Sequence, residues 1–372
     1  MKRLLSLDVL RGLTVMFMII VNDLGGPAWG FLCHSQWNGI TPCDLVFPFF
    51  LFMLGVSAAF SLAKYNYKPT LTSVGKIFRR TVLLLFVAYA IYWFDHAVHG
   101  DFWPFAHLRL TGVLHRLALS YFVASLLAVT IDHKWFPAVI FLLLAGYAVI
   151  LLYGNGYAND HSNILYRTDV AVFGEAHLYG GRPVDPEGLL GLIPSVAHAM
   201  IGFLVGKLCR THTRRLGRTK GAHLTTLSER DAIRYRALLL VACGAALVLL
   251  GMLFTPLLPA NKNIWSPTYV FITCGLAMLL LALLIVVVDL WKLTAWTPFF
   301  RAFGQNPLFM YVLHEVLAIV FGVTGIAAVS QNGLRALIPN VQIASFVYAV
   351  LFMLICWIPA WILYKKHKVI RL

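Results

Sequence analysis

Asp44-Leu45-Val46-Phe47-Pro48-Phe49-Phe50-Leu51-Phe52-Met53-Leu54-Gly55-Val56-Ser57-Ala58-Ala59-Phe60-Ser61-Leu62-Ala63 is a run of twenty residues whose only charge is at its first position. At a rise of about 1.5 Å per residue, twenty helical residues match the roughly 30 Å hydrocarbon core of a bilayer. A helix that is apolar all round has no face to turn to water, so this stretch predicts a transmembrane helix. Working outward from it, comparable runs recur at 9–24, 81–95, 111–131, 136–153, 187–206, 237–254, 267–288, 303–326 and 342–364. The run at 81–95 is short and is expected to extend toward Arg79 or His96. Composition agrees, because 60% hydrophobic and 12% charged residues over 372 positions exclude a water-soluble globular domain. The expected fold is an all-α, polytopic integral membrane protein of about ten transmembrane helices.

The positive-inside rule orients it. With a cytoplasmic N-terminus, the inside segments hold 23 Lys and Arg and the outside loops hold five: Arg109, Arg167, Arg182, Lys262 and Arg335. Both termini are then cytoplasmic, and the basic run Lys365-Lys366-His367-Lys368 agrees. The net charge of +15 is accounted for by such topogenic residues and calls for no nucleic acid partner. Its densest stretch, the loop 207–236, could also meet anionic headgroups or a polyanion such as a nucleotide. Residues 1–372 read as one membrane domain, with an external loop at 154–186 and the basic cytoplasmic loop at 207–236 as insertions. Met1-Lys2-Arg3 precedes a span carrying Asp8, Arg11 and Asn22, the pattern of a retained first helix rather than a cleaved signal.

Between the first two runs lies a polar loop, Gly25 to Thr41, containing His34. Asn22 and Asp23 precede it and Asp44 follows it, so Asn22, Asp23, His34, Asn38 and Asp44 gather at one membrane rim. Such a set is suited to proton transfer in a partly desolvated site; the alternative is that Asp and Asn merely cap helix ends. The six cysteines have no metal-ligand spacing, and no metal is expected. Cys33 and Cys43 bracket His34 and could pair in an oxidising compartment. Polar groups inside the runs are costly and tend to be functional. They include the Asp8 and Arg11 pair, His115 and Arg116, His198, Asn306, and the adjacent His314 and Glu315.

Several stretches together resemble one family. They are Arg3-Leu4-Leu5-Ser6-Leu7-Asp8-Val9-Leu10-Arg11-Gly12, Val21-Asn22, His34-Ser35-Gln36-Trp37-Asn38-Gly39, Asp44-Leu45-Val46-Phe47-Pro48 and Val113-Leu114-His115-Arg116-Leu117. Downstream follow Asp185-Pro186-Glu187-Gly188, Asn261-Lys262-Asn263-Ile264-Trp265-Ser266, Thr297-Pro298-Phe299-Phe300 and Tyr311-Val312-Leu313-His314-Glu315-Val316. In order and nearly throughout, the chain resembles the heparan-α-glucosaminide N-acetyltransferase family. The resemblance implies a polytopic enzyme that uses cytosolic acetyl-CoA to acetylate a glucosamine-type amine across the membrane. Under it, His34 matches the catalytic histidine and Asn22 the neighbouring active-site asparagine. Unlike the lysosomal animal enzyme, this sequence shows no lumenal domain or added first span, which points to a multi-pass protein of the bacterial inner membrane. His115 and the two cysteines Cys33 and Cys43 also depart from the animal pattern.

Chemically, an imidazole can take the proton an amino-sugar ammonium must lose before its nitrogen attacks a thioester. Asn22 would orient that imidazole or donate to the thioester oxygen, a role often worth about 2.7–4 kcal/mol. Asp44 or Asp23 would hold its tautomer. Direct attack and an acetyl-histidine intermediate both remain open at this stage. Lys76, Arg79, Arg80 and Arg301 are the candidate ligands for CoA phosphates, and Asn306, Tyr311 and His314 candidates for lining its path. Trp37, Asn38, Glu187, Trp265 and Tyr269 are candidates for holding the sugar acceptor. The expected partners are acetyl-CoA, an amino sugar or glycan, the lipid bilayer and a second copy in a homodimer. Two rival readings are an O-acyltransferase acting on a surface glycan and an amino-sugar transporter that couples protons through His314 and Glu315.

Overall fold

The computed structural model describes residues 4–180, 182–210 and 228–370. It is built of thirteen α-helices among the described residues, joined by short 3-10 turns and one isolated β-bridge between Gly39 and Asn261. In order they are α1 (Leu5–Asn22), α2 (Val46–Leu62), α3 (Leu71–Val98), α4 (Val113–Thr130), α5 (Phe136–Tyr153), α6 (Ile164–Phe173) and α7 (Leu192–Arg210). There follow α8 (Glu229–Phe254), α9 (Pro267–Leu284), α10 (Thr297–Gln305), α11 (Pro307–Val323), α12 (Ile326–Leu337) and α13 (Val341–Lys365). Among the described residues nine helical segments are long and apolar enough to cross a bilayer, and the bent pair α10 and α11 would make a tenth crossing. The protein is a polytopic, all-helical membrane protein.

The apolar all-round character of α2 is used fully, since Leu51, Phe52, Met53, Val56 and Ala59 are buried among α1, α4, α7 and α9. Lipid tails give apolar helices no hydrophobic reason to associate, so close backbone approach through small residues takes over. A Cβ placed on Gly55 would meet the Ala199 carbonyl of α7, and one on Gly202 would meet the Phe52 carbonyl of α2. The same device joins α1 to α10, where Gly12 faces the Phe300 carbonyl and Gly304 the Asp8 carbonyl. By contrast α3, α5 and α8 line the periphery and turn Phe86, Phe141, Leu142, Leu249 and Leu253 outward, the side chains expected to meet lipid.

Four boundaries differ from the sequence reading. The run 303–326 is two helices that meet at 82°. Pro307 disfavours helical geometry at the residue before it, and Asn306 adopts φ −129° and ψ 60°, outside the helical region. Pro307 then starts α11, where its missing N–H costs nothing. The short run 81–95 is part of a 28-residue helix that begins well before Arg79, because Thr70 and Ser73 cap it reciprocally, Ser73 N to Thr70 Oγ1 at 3.2 Å and Thr70 N to Ser73 Oγ at 2.9 Å. The run 187–206 becomes α7 and starts at Leu192, leaving Glu187 in the preceding loop. The loop 154–186, expected to be external, carries a helix, α6, capped by Asn163. Of the basic loop 207–236, residues 211–227 lie outside the described residues, and its flanks are the ends of α7 and α8.

Candidate active site

His34 stands at the mouth of a cavity of about 230 Å³ near the C-terminal end of α1 and the N-terminal end of α2. The local sequence explains its posture. Thr41 and Asp44 form a reciprocal cap on the 3-10 turn Pro42–Leu45, which turns the Asp44 carboxylate back toward the loop. Asp44 Oδ2 accepts from Thr41 N at 3.0 Å, Thr41 Oγ1 at 3.0 Å and Ser35 N at 3.2 Å. The other oxygen, Oδ1, is then left for His34 Nδ1 at 2.8 Å. Asp44 is fully buried and His34 partly exposed. Of the two carboxylates at the rim, Asp44 is thus the one that holds the imidazole, and it does so through Nδ1.

Two further groups crowd the ring. Lys262 Nζ lies 3.0 Å from both ring nitrogens and 3.8 Å from Asp44 Oδ1. Burial pushes the Lys262 ammonium down from its ordinary value, against the opposing pull of Asp44 and Glu187. Cys43 Sγ approaches His34 Nδ1 at 3.2 Å, and Cys33 and Cys43 are both free thiols. The disulfide that Cys33 and Cys43 could form is absent from this structure, where Cys43 points into the site while Cys33 is exposed.

Around the mouth, a second charged group comes from the loop after α3. Arg109 Nη2 donates to Asp185 Oδ1 at 2.8 Å and to Glu187 Oε2 at 2.7 Å, with the ring of Tyr179 4.5 Å from its guanidinium. Burial favours the neutral forms of this cluster, but Arg109, Thr111 and the Glu187 N–H outweigh it and hold the Asp185 carboxyl below its ordinary range. Arg182 donates to Asn263 at 3.2 Å. The cavity walls therefore comprise Asn22, His34, Arg109, Glu187, Lys262 and Glu315 as polar groups over an apolar floor that includes Phe50, Val113 and Tyr311.

A second cavity of about 120 Å³ lies deeper and shares Phe50, Val113 and Tyr311 with the first. Leu54, Leu84, Leu114 and Leu117 line it, and Arg11 and Arg80 supply its charges. Arg11 and Asn22, eleven residues apart on α1, are separated by about 16 Å along the helix axis at about 1.5 Å per residue. The two cavities thus adjoin at Phe50, Val113 and Tyr311, which line both. Arg11 donates to Asp8 Oδ1 at 3.3 Å and to Ser57 Oγ at 2.9 Å, which places the expected Asp8–Arg11 pair at the inner cavity. Arg80 stacks over the Tyr121 ring at 4.6 Å.

The structure sorts the candidates. His34, Asn22, Glu187 and Tyr311 line the first cavity, and Arg80 and Tyr311 the second. Lys76 and Arg79 sit on exposed positions of α3, and Arg301 lies over Tyr364 at 5.4 Å, so none of these three reaches the cavities. Asn306 holds the C-terminal segment, donating to Lys368 O at 3.1 Å and accepting from Ile370 N at 2.8 Å. His314 is buried with Nδ1 on the Tyr311 carbonyl, and its neighbour Glu315 faces the cavity instead. Trp265 and Tyr269 cannot stack on a sugar, being 1% and 0% exposed. Trp265 packs on Phe47 and the Arg116 guanidinium, and the Tyr269 hydroxyl donates to the Asp44 carbonyl at 2.5 Å. Trp37 donates to Tyr157 O at 2.9 Å and Asn38 accepts from Asn261 at 3.1 Å, so both fasten the His34 loop to its neighbours. Lys262, Arg109 and Arg182 were legible only as outside charges. The Asn261-Lys262-Asn263 motif was the one signal for Lys262.

The fold is that of a multi-pass membrane protein, with a His–carboxylate pair at one of two adjoining cavities and Arg11 and Arg80 lining the other. The chain belongs to the heparan-α-glucosaminide N-acetyltransferase family: residues 3–239 match the family model described as "Heparan-alpha-glucosaminide N-acetyltransferase, catalytic". It is 30% identical to the mouse (Mus musculus) heparan-alpha-glucosaminide N-acetyltransferase, over 98% of this chain and 60% of that protein. With the human (Homo sapiens) protein of the same name it is 28% identical, over 86% of this chain and 54% of the other. The chain thus spans little more than half the length of these relatives.

Proposed function

We propose that this protein is a transmembrane acetyltransferase that moves an acetyl group from acetyl-CoA, bound from the cytoplasmic side, to the amino group of a glucosamine-type sugar at the opposite face. The observation that carries the reading is the pair of adjoining cavities, one lined by Arg80 and the other by His34, with Phe50, Val113 and Tyr311 common to both. The inner cavity is narrow and apolar, which suits an extended pantetheine arm and leaves the nucleotide outside near Arg80. Both termini then lie in the cytoplasm of a bacterial cell and His34 opens to the periplasm.

In the proposed reaction His34 Nε2 removes a proton from the acceptor ammonium. The freed nitrogen attacks the thioester carbonyl carbon, a C–N bond forms, the C–S bond breaks, the imidazolium protonates the departing CoA thiolate, and the regenerated imidazole takes the second proton from the acylated nitrogen and releases it to solvent. Asp44 stabilises that imidazolium through Nδ1. Lys262 Nζ stands beside the ring, and its side chain must yield for an acceptor ammonium to reach Nε2. Glu187 and Glu315 favour a cation in the outer cavity, and Asn22 on the same wall is available to the developing oxyanion. The test is free-CoA release by the purified protein given acetyl-CoA and glucosamine. Release that requires the amine and is lost in His34→Ala supports the reading, and no release with any amine acceptor sinks it. Release with a hydroxyl acceptor alone would instead select the O-acyltransferase.

A further inference from the structure

At the outer end of α3, away from the cavity, His96, Asp101 and His107 present one ligand atom each, all within 4.8 Å of one another. His107 Nε2 lies 2.8 Å and His96 Nδ1 3.5 Å from the same Asp101 oxygen, Oδ2. Zinc bound tetrahedrally at about 2.0–2.1 Å separates adjacent donors by about 3.3–3.4 Å, so the two measured separations bracket what an ion at their centre would impose.

The loop holds these groups in place before any ion arrives. The Asp101 N–H donates to His96 O at 3.0 Å, which closes the chain behind the helix end. Asp101 Oδ1 accepts from Trp103 N at 3.3 Å, leaving Oδ2 for the two imidazoles. The His107 N–H donates to Pro104 O at 3.0 Å, and the Trp93 indole donates to Phe102 O at 3.2 Å, tying the loop back to α3. Nearby, Asp95 and His99 are occupied with each other, at 3.6 Å.

We propose that His96, Asp101 and His107 form a site for a divalent transition metal of the zinc class, with a fourth position open to water. Two imidazoles and one carboxylate are a nitrogen-rich set that magnesium and calcium, which require oxygen ligands, do not favour. Its consequence is positional. His107 stands two residues before Arg109, whose guanidinium holds Asp185 and Glu187 at the cavity mouth. An ion here would clamp the end of α3 to the segment that carries Arg109.

The test uses the full chain without an affinity tag, stripped with chelator and titrated with Zn²⁺ alone by calorimetry. The expected result is one equivalent bound by the unaltered protein, at least tenfold weaker binding in the double variant His96→Ala/His107→Ala, and weakened binding in Asp101→Asn, which keeps the loop's shape. His161→Ala, at a remote exposed histidine, should bind as the unaltered protein does. The proposal is overturned if the unaltered protein takes up no zinc, if Asp101→Asn and the double variant bind undiminished, or if His161→Ala loses as much.

Discussion

At the scale of single residues the site is decided by the two oxygens of Asp44. One is consumed by the loop backbone and Thr41, the other by His34. An asparagine can supply only one acceptor, so Asp44→Asn must give up either the loop or the imidazole. In the proposed reaction this substitution is expected to lower kcat on the order of 10²–10⁴-fold, the range general-base catalysis supplies, with a much smaller change in KM for either substrate. Equal kcat in the variant would remove Asp44 from the mechanism. A second residue-scale expectation concerns Asp185. Its folded-state pKa is held below the ordinary carboxylate value, so it contributes stability that is fully present above about pH 4 and lost as pH falls through the depressed value. Asp185→Asn should therefore cost about 1.5–3 kcal/mol at pH 7, the worth of a hydrogen bond to a charged group. Its thermal-unfolding curve in detergent should converge on that of the unaltered protein as the pH drops below 4; a constant offset at every pH would refute the argument. His34 and Asp44 could be read from sequence because they stand ten residues apart in one polar loop between two apolar runs. Lys262 could not, because it is 228 residues away and only tertiary packing brings it to the ring.

At the scale of helices, close backbone contact positions the cavities. Gly304 on α10 sits against the Asp8 carbonyl of α1, where an added Cβ would lie 2.1 Å from that oxygen. The neighbour is backbone and cannot swing aside, so Gly304→Ala should destabilise the protein by about 1–3 kcal/mol, as overpacking does. Gly146→Ala on α5 is the matched control, since nothing lies within 4 Å of its added Cβ. Thermal denaturation in detergent should lower the midpoint for the first and not for the second. Similar midpoints would mean that α1 and α10 are not held by this contact. Apolar run length made nearly every helix legible in the sequence. What it concealed is the break at Asn306, because a hydropathy reading passes over one asparagine and one proline that backbone sterics do not. Lipid-facing and core-facing stretches were equally indistinguishable, since α2 and residues 237–254 of α8 are both free of charged side chains yet differ in burial.

At the scale of the whole molecule, the proposed reaction needs its two halves to meet where the two cavities adjoin, and that junction is a property of no one helix. Phe50 comes from α2, Val113 from the start of α4 and Tyr311 from α11, so their convergence depends on the packing of three segments distant in sequence. Sequence reading placed Tyr311 on the path of CoA but had no means of finding Phe50 or Val113, which look like any other apolar residue in a span. Val113 offers the sharpest intervention, because it is the smallest of the three and sits where both cavities meet. Val113→Trp should fill the junction while leaving Arg80 below and the His34–Asp44 pair above untouched. The expected outcome is at least a hundredfold loss of acetyl transfer, with labelled acetyl-CoA still retained by the purified protein and a monodisperse elution profile. Val113→Ala, which widens the same point, should keep transfer within a few-fold of the unaltered protein. If Val113→Trp transfers acetyl normally, donor and acceptor do not meet at this junction, and the two adjoining cavities are not the route of the reaction.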